Sequence, residues 1–332
     1  MKTLLRKGTK ALVVLGLVGT ILTVTAAPYR PSEPKYRVQT MLVDWTDAPR
    51  KRLVPTKIWF PSNATGALPV IVFSHGLGGS RDGYEFLGKY WAGVGYVSVH
   101  LQHVGSDDSV WKNAGRLKAM SALRKAATDP RTAMDRPKDV SFALDELTRM
   151  NGTHKVLKGR LDLQRIGVAG HSFGGYTAMA IAGQNYTKGK LGDGRDRRVR
   201  AVVQMSAPVP KPRVREYAYQ TVTLPVFHMT GTKDESPLNT TSAKERRIPF
   251  DRTKGEACLV VFKDGDHAIF SGRRRLSRRA REQDAVFHRI ICRGSTAFWD
   301  AHLKGDRTAK EWLMGNGFKR ELGKSGTFES RP

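Results

Sequence analysis

A serine that could act as a nucleophile lies in a glycine-rich hexapeptide, GHSFGG at 170–175, directly after the apolar run Ile166–Ala169. A helical pattern follows, so the sequence predicts a sharp turn from a strand into a helix. Glycines are expected in such a turn because side chains there would collide. A nucleophile elbow of this kind exposes Ser172 for attack on a carbonyl carbon. The N-terminus of the helix then offers N–H groups and a favourable dipole to an oxyanion.

Two later strands are followed by the residues that such a serine needs. In this chain order an acid comes first and a histidine second, each after its own strand. Asp234 follows Val226–Met229, and His267 follows Cys258–Phe262. We therefore expect Ser172 to be the nucleophile, Asp234 the orienting acid, and His267 the general base and then the general acid.

The identity of the acid has one open alternative. Glu235 directly follows Asp234 and has the same chemistry. Asp264 and Asp266 are too close to His267 in sequence to be its usual partner.

A second glycine-rich loop, FSHGLGG at 73–79, follows the first run expected to form a parallel strand. Loops at this position supply a backbone N–H to an oxyanion hole. We expect the two donors to be the N–H groups of Leu77 and of Phe173, the residue after the nucleophile. For His75 and His171, which lie within the two glycine-rich segments, we favour structural roles.

Neither the remaining histidines nor the cysteines predict a metal site. His100 and His103 lack ligand spacing, and the sequence has no HExxH motif, so we assign no metal. Cys258 and Cys292 are the two cysteines of the chain. They are expected on the last strand and the last helix, and two states are open, a disulfide or a pair of buried thiols.

The hydrophobic periodicity alternates between strand-like and helical, which predicts an α/β fold in one domain over residues 27–314. Two antiparallel strands are expected at Tyr36–Val43 and Arg52–Phe60. Six short apolar runs predict a mainly parallel central sheet covered by helices on both faces: Val70–Phe73, Tyr96–Val99, Ile166–Ala169, Val202–Met205, Val226–Met229 and Cys258–Phe262. The helices are expected at Arg81–Val94, Pro137–Met150, Phe173–Gly183 and Glu282–Leu303.

Two segments outside this pattern have their own expectations. Residues 104–136 are long for a connection and carry Trp111, Leu117, Met120 and Leu123 at near-helical spacing, which favours either a lid helix over the site or core packing. Residues 315–332 are polar and contain glycine, so we expect a loosely held C-terminal tail.

The first 26 residues have the pattern of a secretory signal peptide. Four basic residues precede an uncharged run over 11–25, and small residues lie where a signal peptidase cleaves. The run is shorter than the ~20 residues of a membrane-spanning helix, so a retained anchor is the weaker alternative. We therefore expect a secreted or periplasmic protein.

The net charge of +27 comes from 57 Lys and Arg against 30 Asp and Glu, and removal of four basic residues with the signal peptide still leaves +23. A field of this sign attracts an anionic membrane surface or a polyanionic matrix. No nucleic-acid-binding motif accompanies the charge, so we exclude that partner. The basic residues cluster on both faces of the expected fold: Arg273, Arg274, Arg275, Arg278, Arg279 and Arg281 near the site, and Lys188, Lys190, Arg195, Arg197, Arg198 and Arg200 opposite.

With these motifs in place, the chain resembles the serine α/β-hydrolases of the platelet-activating-factor acetylhydrolase and predicted dienelactone-hydrolase-like group. The resemblance is carried by the FSHGLGG loop, the GHSFGG elbow, Asp234 and His267, and it extends from about Val70 to Leu303. It implies cofactor-free hydrolysis of carboxylic esters through an acyl-enzyme. True dienelactone hydrolases carry cysteine where this chain has Ser172. Secreted polyester hydrolases and cutinases use a similar catalytic set.

We therefore expect a secreted, monomeric serine esterase that acts on a lipid-like or short-acyl ester. The alternatives are a polyester hydrolase of the cutinase kind, an acyltransferase that uses the same acyl-enzyme, and a non-catalytic polyanion-binding protein on a hydrolase scaffold. The last is disfavoured because binding alone does not need all three catalytic groups.

Overall fold

The computed structural model describes residues 29–186, 194–236, 238, 240–273 and 276–332, without the side chain of Arg116. The expected signal peptide over residues 1–26 lies outside this part of the chain. So do four of the clustered basic residues, Lys188, Lys190, Arg274 and Arg275.

One mixed β-sheet forms the centre of the described chain, with the strand order β1-β2-β4-β3-β5-β6-β7-β8-β9. The strands β3 to β8 are mutually parallel, whereas β1, β2 and β9 pair antiparallel at the two edges. The strands are β1 (Val38–Asp47), β2 (Arg52–Pro61), β3 (Leu68–Ser74), β4 (Val97–Leu101), β5 (Leu161–His171), β6 (Val199–Met205), β7 (Val226–Lys233), β8 (Ala257–Asp266) and β9 (Gly326–Arg331).

Helices cover both faces of this sheet, so the predicted α/β-hydrolase-like class is confirmed. The helices are α1 (Glu85–Gly93), α2 (Ser109–Thr128), α3 (Pro130–Thr153), α4 (Phe173–Ala182), α5 (Pro212–Ala218), α6 (Ile248–Arg252), α7 (Arg278–Leu303), α8 (Arg307–Met314) and α9 (Gly317–Leu322). Short 3-10 helices lie at Lys244–Arg247, His267–Phe270 and Gly323–Ser325.

Successive side chains of the central strands enter two separate hydrophobic cores. On β3, Ile71 and Phe73 belong to one core and Val70 and Val72 to the other, as the two-residue period of a strand dictates. The first core packs against α1, α7, α8 and α9, and the second against α3, α4 and α5. Burial on both faces explains why these strands are continuous apolar runs in the sequence.

The segment 104–136 forms a helix, α2, and the beginning of α3. The helix α2 is kinked at Gly115, where φ is 70° and ψ is 165°. Leu117 is fully exposed and Met120 is 45% exposed, so this side of α2 does not enter a core. Trp111, by contrast, donates its indole N–H to the Gly78 carbonyl at 2.9 Å, which fixes one end of the helix over the glycine-rich loop.

The structure corrects the expectation of a loosely held tail over residues 315–332. The strand β9 pairs along its whole length with β8, and Phe318, Leu322 and Phe328 are buried in the first core. The segment looks polar because an edge strand buries one face only, and here that face carries a single large apolar side chain, Phe328.

The two cysteines are free, buried thiols, so the open alternative of a disulfide is not realised. They do lie on β8 and α7 as expected, but they face different neighbours. The Sγ of Cys258 lies 3.7 Å from the sulfur of Met314, and that of Cys292 lies 3.9 Å from the Phe86 carbonyl oxygen. Burial raises the pKa of both thiols above the ordinary range, which keeps them protonated.

Candidate active site

The GHSFGG segment forms the sharp turn that its glycines predict. Ser172 lies between β5 and α4 with a φ of 55°, a strained value for a residue with a side chain. A Cβ on Gly170 would overlap the carbonyl of Gly174, and a Cβ on Gly174 would overlap the carbonyl of Ser74. The backbone N–H of Ser172 donates to the carbonyl oxygen of Met205 on β6 at 2.8 Å. The serine is thus held half-buried at the carboxyl edge of the sheet.

The structure brings Ser172, His267 and Asp234 into one hydrogen-bonded chain. His267 Nε2 lies 2.9 Å from Ser172 Oγ, and His267 Nδ1 lies 2.7 Å from Asp234 Oδ1. Asp234 follows β7 and is fully buried, while His267 begins the 3-10 helix after β8 and is partly exposed. A carboxylate accepts the Nδ1 proton, so Nε2 is free to accept the serine proton.

Asp234 is surrounded by hydrogen-bond donors. Its Oδ2 accepts from Thr230 Oγ1 at 2.7 Å and from the hydroxyl of Ser206. The Arg246 guanidinium Nε lies 3.0 Å from Oδ1 and donates to the backbone carbonyl of Asp234 at 2.8 Å. Burial alone would raise the pKa of this carboxyl, but the hydrogen bond from His267 and the charge of Arg246 outweigh it and hold the pKa below its usual value.

The alternative acid, Glu235, occupies a different position. Its carboxylate is exposed at the mouth of the cavity beside the serine, and the imidazole hydrogen bond goes to Asp234. The geometry therefore favours Asp234 over Glu235 as the partner of His267.

Leu77 lies in a loop whose neighbouring N–H groups are already bound. The N–H of Gly76 donates to the Tyr84 hydroxyl at 3.0 Å, and the N–H of Gly78 donates to the Ser106 carbonyl at 2.9 Å. Leu77 itself is partly exposed and lines the cavity that also contains the serine. Phe173, the other expected donor, is the first residue of α4.

Both glycine-segment histidines are buried and hydrogen-bonded within the protein. His75 Nε2 accepts the backbone N–H of His103 at 3.0 Å. His171 Nδ1 lies 2.9 Å from the Tyr84 hydroxyl, and its ring centroid is 4.7 Å from that of His267. Burial and the neighbouring His267 lower the pKa of His171 well below its ordinary value, so it stays neutral. These contacts support the structural roles expected for both.

A cavity of about 560 Å³ opens at the serine. Its walls come from the glycine-rich loop, the residues just before α1, the start of α2 and the segments after β7 and β8. The lining as a whole is more apolar than polar, and a basic side chain, Arg273, is exposed beside it. The lining includes Leu77, Tyr84, Trp111, Leu238 and Arg273.

Residues 53–115, which include the FSHGLGG loop, match the family model described as "Platelet-activating factor acetylhydrolase, isoform II". The platelet-activating factor acetylhydrolase of Cavia porcellus is 23% identical over 295 residues, covering 78% of this chain and 63% of the relative.

The chain is similar to platelet-activating factor acetylhydrolases. This confirms the resemblance inferred from the two glycine-rich motifs. The chain spans about 63% of the length of the curated acetylhydrolase it matches.

Other site types are not evident in the described part of the chain. Within it, no three metal-ligating side chains are grouped so that they could hold a metal ion. The helices described there also include none that is both long and apolar enough to cross a bilayer.

A second serine, histidine and aspartate array went unnoticed in the sequence. Ser74 Oγ lies 2.9 Å from His103 Nε2, and His103 Nδ1 lies 2.9 Å from Asp139 Oδ2. All three side chains are fully buried, and burial lowers the pKa of His103 to about 4. Arg52 binds Asp139 at 2.8 Å and neutralises it. With no access for a substrate, this array supports structure, whereas Ser172 lines the open cavity.

Two buried arginines were also missed. Arg136 and Arg246 are 0% and 1% exposed. In the sequence they cannot be distinguished from the many surface arginines, because burial of a cation is decided by tertiary contacts. Predicting their burial would have required knowing which loops contact each other in the fold.

Proposed function

We propose that this chain is a serine carboxylic-ester hydrolase that acts through an acyl-enzyme. The observation that carries the proposal is the hydrogen-bonded chain from Ser172 Oγ through His267 to Asp234, with separations of 2.9 and 2.7 Å, at the mouth of an open cavity. The chemistry requires a serine and a base within hydrogen-bonding distance, with the base oriented by a third group.

In the first half-reaction, His267 Nε2 takes the proton of Ser172 as Oγ attacks the ester carbonyl carbon. The C=O π electrons move to oxygen and form a tetrahedral oxyanion, for which Leu77 and Phe173 are the proposed N–H donors. Collapse of this intermediate breaks the bond to the leaving alkoxide, which takes the proton from His267. The alcohol departs and an acyl-serine remains.

In the second half-reaction, a water molecule attacks the acyl-serine while His267 accepts one of its protons. A second tetrahedral intermediate collapses, and Ser172 leaves with that proton from His267. The carboxylic acid is released and the enzyme is regenerated. Asp234 holds the imidazole in its Nδ1–H tautomer and stabilises the imidazolium in both halves.

The proposed substrate is a lipid-like or short-acyl ester. The apolar walls formed by Leu77, Trp111 and Leu238 suit an acyl or alkyl group, and the name of the acetylhydrolase relative supports a short acyl chain. Arg273 at the rim suits an anionic group of the substrate. We further propose that the N-terminal signal directs export of the protein and that its exposed basic residues recruit it to an anionic surface.

Hydrolysis of p-nitrophenyl acetate and p-nitrophenyl butyrate tests the function. We expect saturable turnover by the wild type and a loss of kcat of at least about 10³-fold in Ser172→Ala, since removal of the nucleophile leaves only binding and oxyanion stabilisation. Thermal unfolding of the variant should match that of the wild type. Unchanged turnover in Ser172→Ala would reject the proposal.

A further inference from the structure

We propose that Arg136 is a positioning residue that fixes the two oxyanion N–H donors, on Leu77 and Phe173, relative to each other. The inference rests on the proposed esterase function and extends it to a residue outside the Ser172, His267 and Asp234 chain. The donors belong to segments that are far apart in sequence, the loop after β3 and the N-terminus of α4. Contacts elsewhere in the fold must fix the distance between these two segments, because an oxyanion hole requires both N–H donors to point at one oxygen.

On the α4 side, Arg136 contacts the donor residue itself. The guanidinium carbon lies 4.6 Å from the centroid of the Phe173 ring, within the range of a cation–π interaction. Its Nε donates to Thr177 Oγ1 at 2.9 Å, and Thr177 Oγ1 donates in turn to the Phe173 carbonyl at 3.0 Å. The first turn of α4 is thus held by two contacts from one side chain.

On the loop side, the same guanidinium holds the chain before and after Leu77. Its Nη2 donates to Ser74 Oγ at 3.0 Å and to the carbonyl of His75. Its Nη1 donates to Ser106 Oγ at 2.7 Å, and the Ser106 carbonyl accepts the N–H of Gly78 at 2.9 Å. Arg136 therefore holds the loop on both sides of Leu77, directly at His75 and through Ser106 at Gly78.

The chemistry of these contacts explains why the residue is arginine. A planar guanidinium can donate in several fixed directions at once, whereas a lysine ammonium is a single point. The acceptors of Arg136 are neutral hydroxyl and carbonyl oxygens, and the nearby carboxylate Asp139 is bound by Arg52 and His103. Burial of a cation among neutral acceptors is costly. A positioning function gives a reason for that cost that packing alone does not.

The test separates positioning from stability. Arg136→Met and Arg136→Lys are compared with Arg160→Met. Arg160 also connects loops, since it donates to the Pro61 and Ala64 carbonyls at 2.8 Å each. It directly precedes β5, however, and so lies at the other end of this strand from Ser172. For each variant, kcat and KM on p-nitrophenyl acetate and the inhibition constant of phenylboronic acid are measured alongside thermal unfolding. The boronate forms a tetrahedral serine adduct and so reports on the oxyanion hole.

We expect kcat to fall at least about tenfold in Arg136→Lys and further in Arg136→Met, with KM within about twofold. Boronate affinity should fall in parallel with kcat. Arg160→Met should lose thermal stability while kcat and boronate affinity stay within about twofold of the wild type.

Two results would overturn the proposal. One is a folded Arg136→Lys or Arg136→Met that keeps wild-type kcat and boronate affinity; if Arg136→Met fails to fold, Arg136→Lys decides. The other is a matching loss of kcat in Arg160→Met, which would show that any loosened loop has this effect. Absence of Ser172-dependent turnover in the wild type would instead reject the esterase function, and this inference with it.

Discussion

Asp234 shows how the fold accommodates a buried carboxylate at the candidate site. Its carboxylate is fully buried, yet it is compensated by His267, Arg246, Thr230 and the Ser206 hydroxyl. The residue could be predicted from the sequence because it follows β7 in the required chain order. Arg246 could not, because its role depends on a contact between the 3-10 helix after β7 and the carboxyl end of that strand.

Asp234→Asn tests the orienting role. An amide offers an N–H as well as a carbonyl to His267 Nδ1, so the imidazole can adopt the wrong tautomer, and we expect kcat on p-nitrophenyl acetate to fall about 10³- to 10⁴-fold at pH 7. Glu235→Gln is the matched variant, and it should lose less than about tenfold. An equal or greater loss in Glu235→Gln would instead make Glu235 the acid.

Among the secondary-structure elements, the strands that are buried on both faces could be predicted best from the sequence. The six apolar runs correspond to β3 to β8, and the elbow glycines mark the junction of β5 and α4. The edge strand β9 went unrecognised because its exposed side is polar and only Phe328 faces the core. For residues 104–136 the near-helical spacing left a lid helix and core packing open, and the kink of α2 at Gly115 and its exposed face could not be predicted, since tertiary contacts decide them.

Phe328→Ala tests whether β9 is part of the stable fold. Loss of a buried phenyl group should lower the free energy of unfolding by about 3 kcal/mol, and Thr327→Ala on the exposed side of the same strand should change it by about 0.5 kcal/mol or less. Thermal unfolding measures both. Equal midpoints for the two variants would mean that the C-terminal segment is not packed as described.

At the scale of the whole molecule, the charge of +27 is spread unevenly. Some arginines are neutralised locally, as Arg198 is by Asp196 and Asp145. Arg278 is exposed but pairs with Glu282 at 2.9 Å. Arg273 at the cavity and Arg279 are also exposed. The sequence predicted the excess and its clustering, but which cations are paired follows only from the folded arrangement. The bond-breaking steps proposed above use none of the exposed ones, so apart from the substrate contact proposed for Arg273 we expect their effect to lie in recruitment.

Salt dependence tests recruitment. Binding to vesicles that contain anionic phospholipid should weaken severalfold between low and physiological salt, because ions screen exposed charges beyond about 8–10 Å. Turnover of the small neutral p-nitrophenyl acetate should change less than about twofold over the same range. Salt-independent sedimentation with these vesicles, or equal binding to neutral ones, would contradict a recruiting role for the basic surface.

A fluorophosphonate probe tests directly whether Ser172 is the nucleophile. The probe phosphonylates a serine only where a base activates it, and mass spectrometry of the digested protein locates the adduct. We expect one adduct per chain on the peptide that contains Ser172, and none in Ser172→Ala. Ser74 is the internal comparison, because it also contacts a histidine and an aspartate but is fully buried. No adduct at Ser172 in the folded wild type, or an adduct at Ser74, would contradict the account.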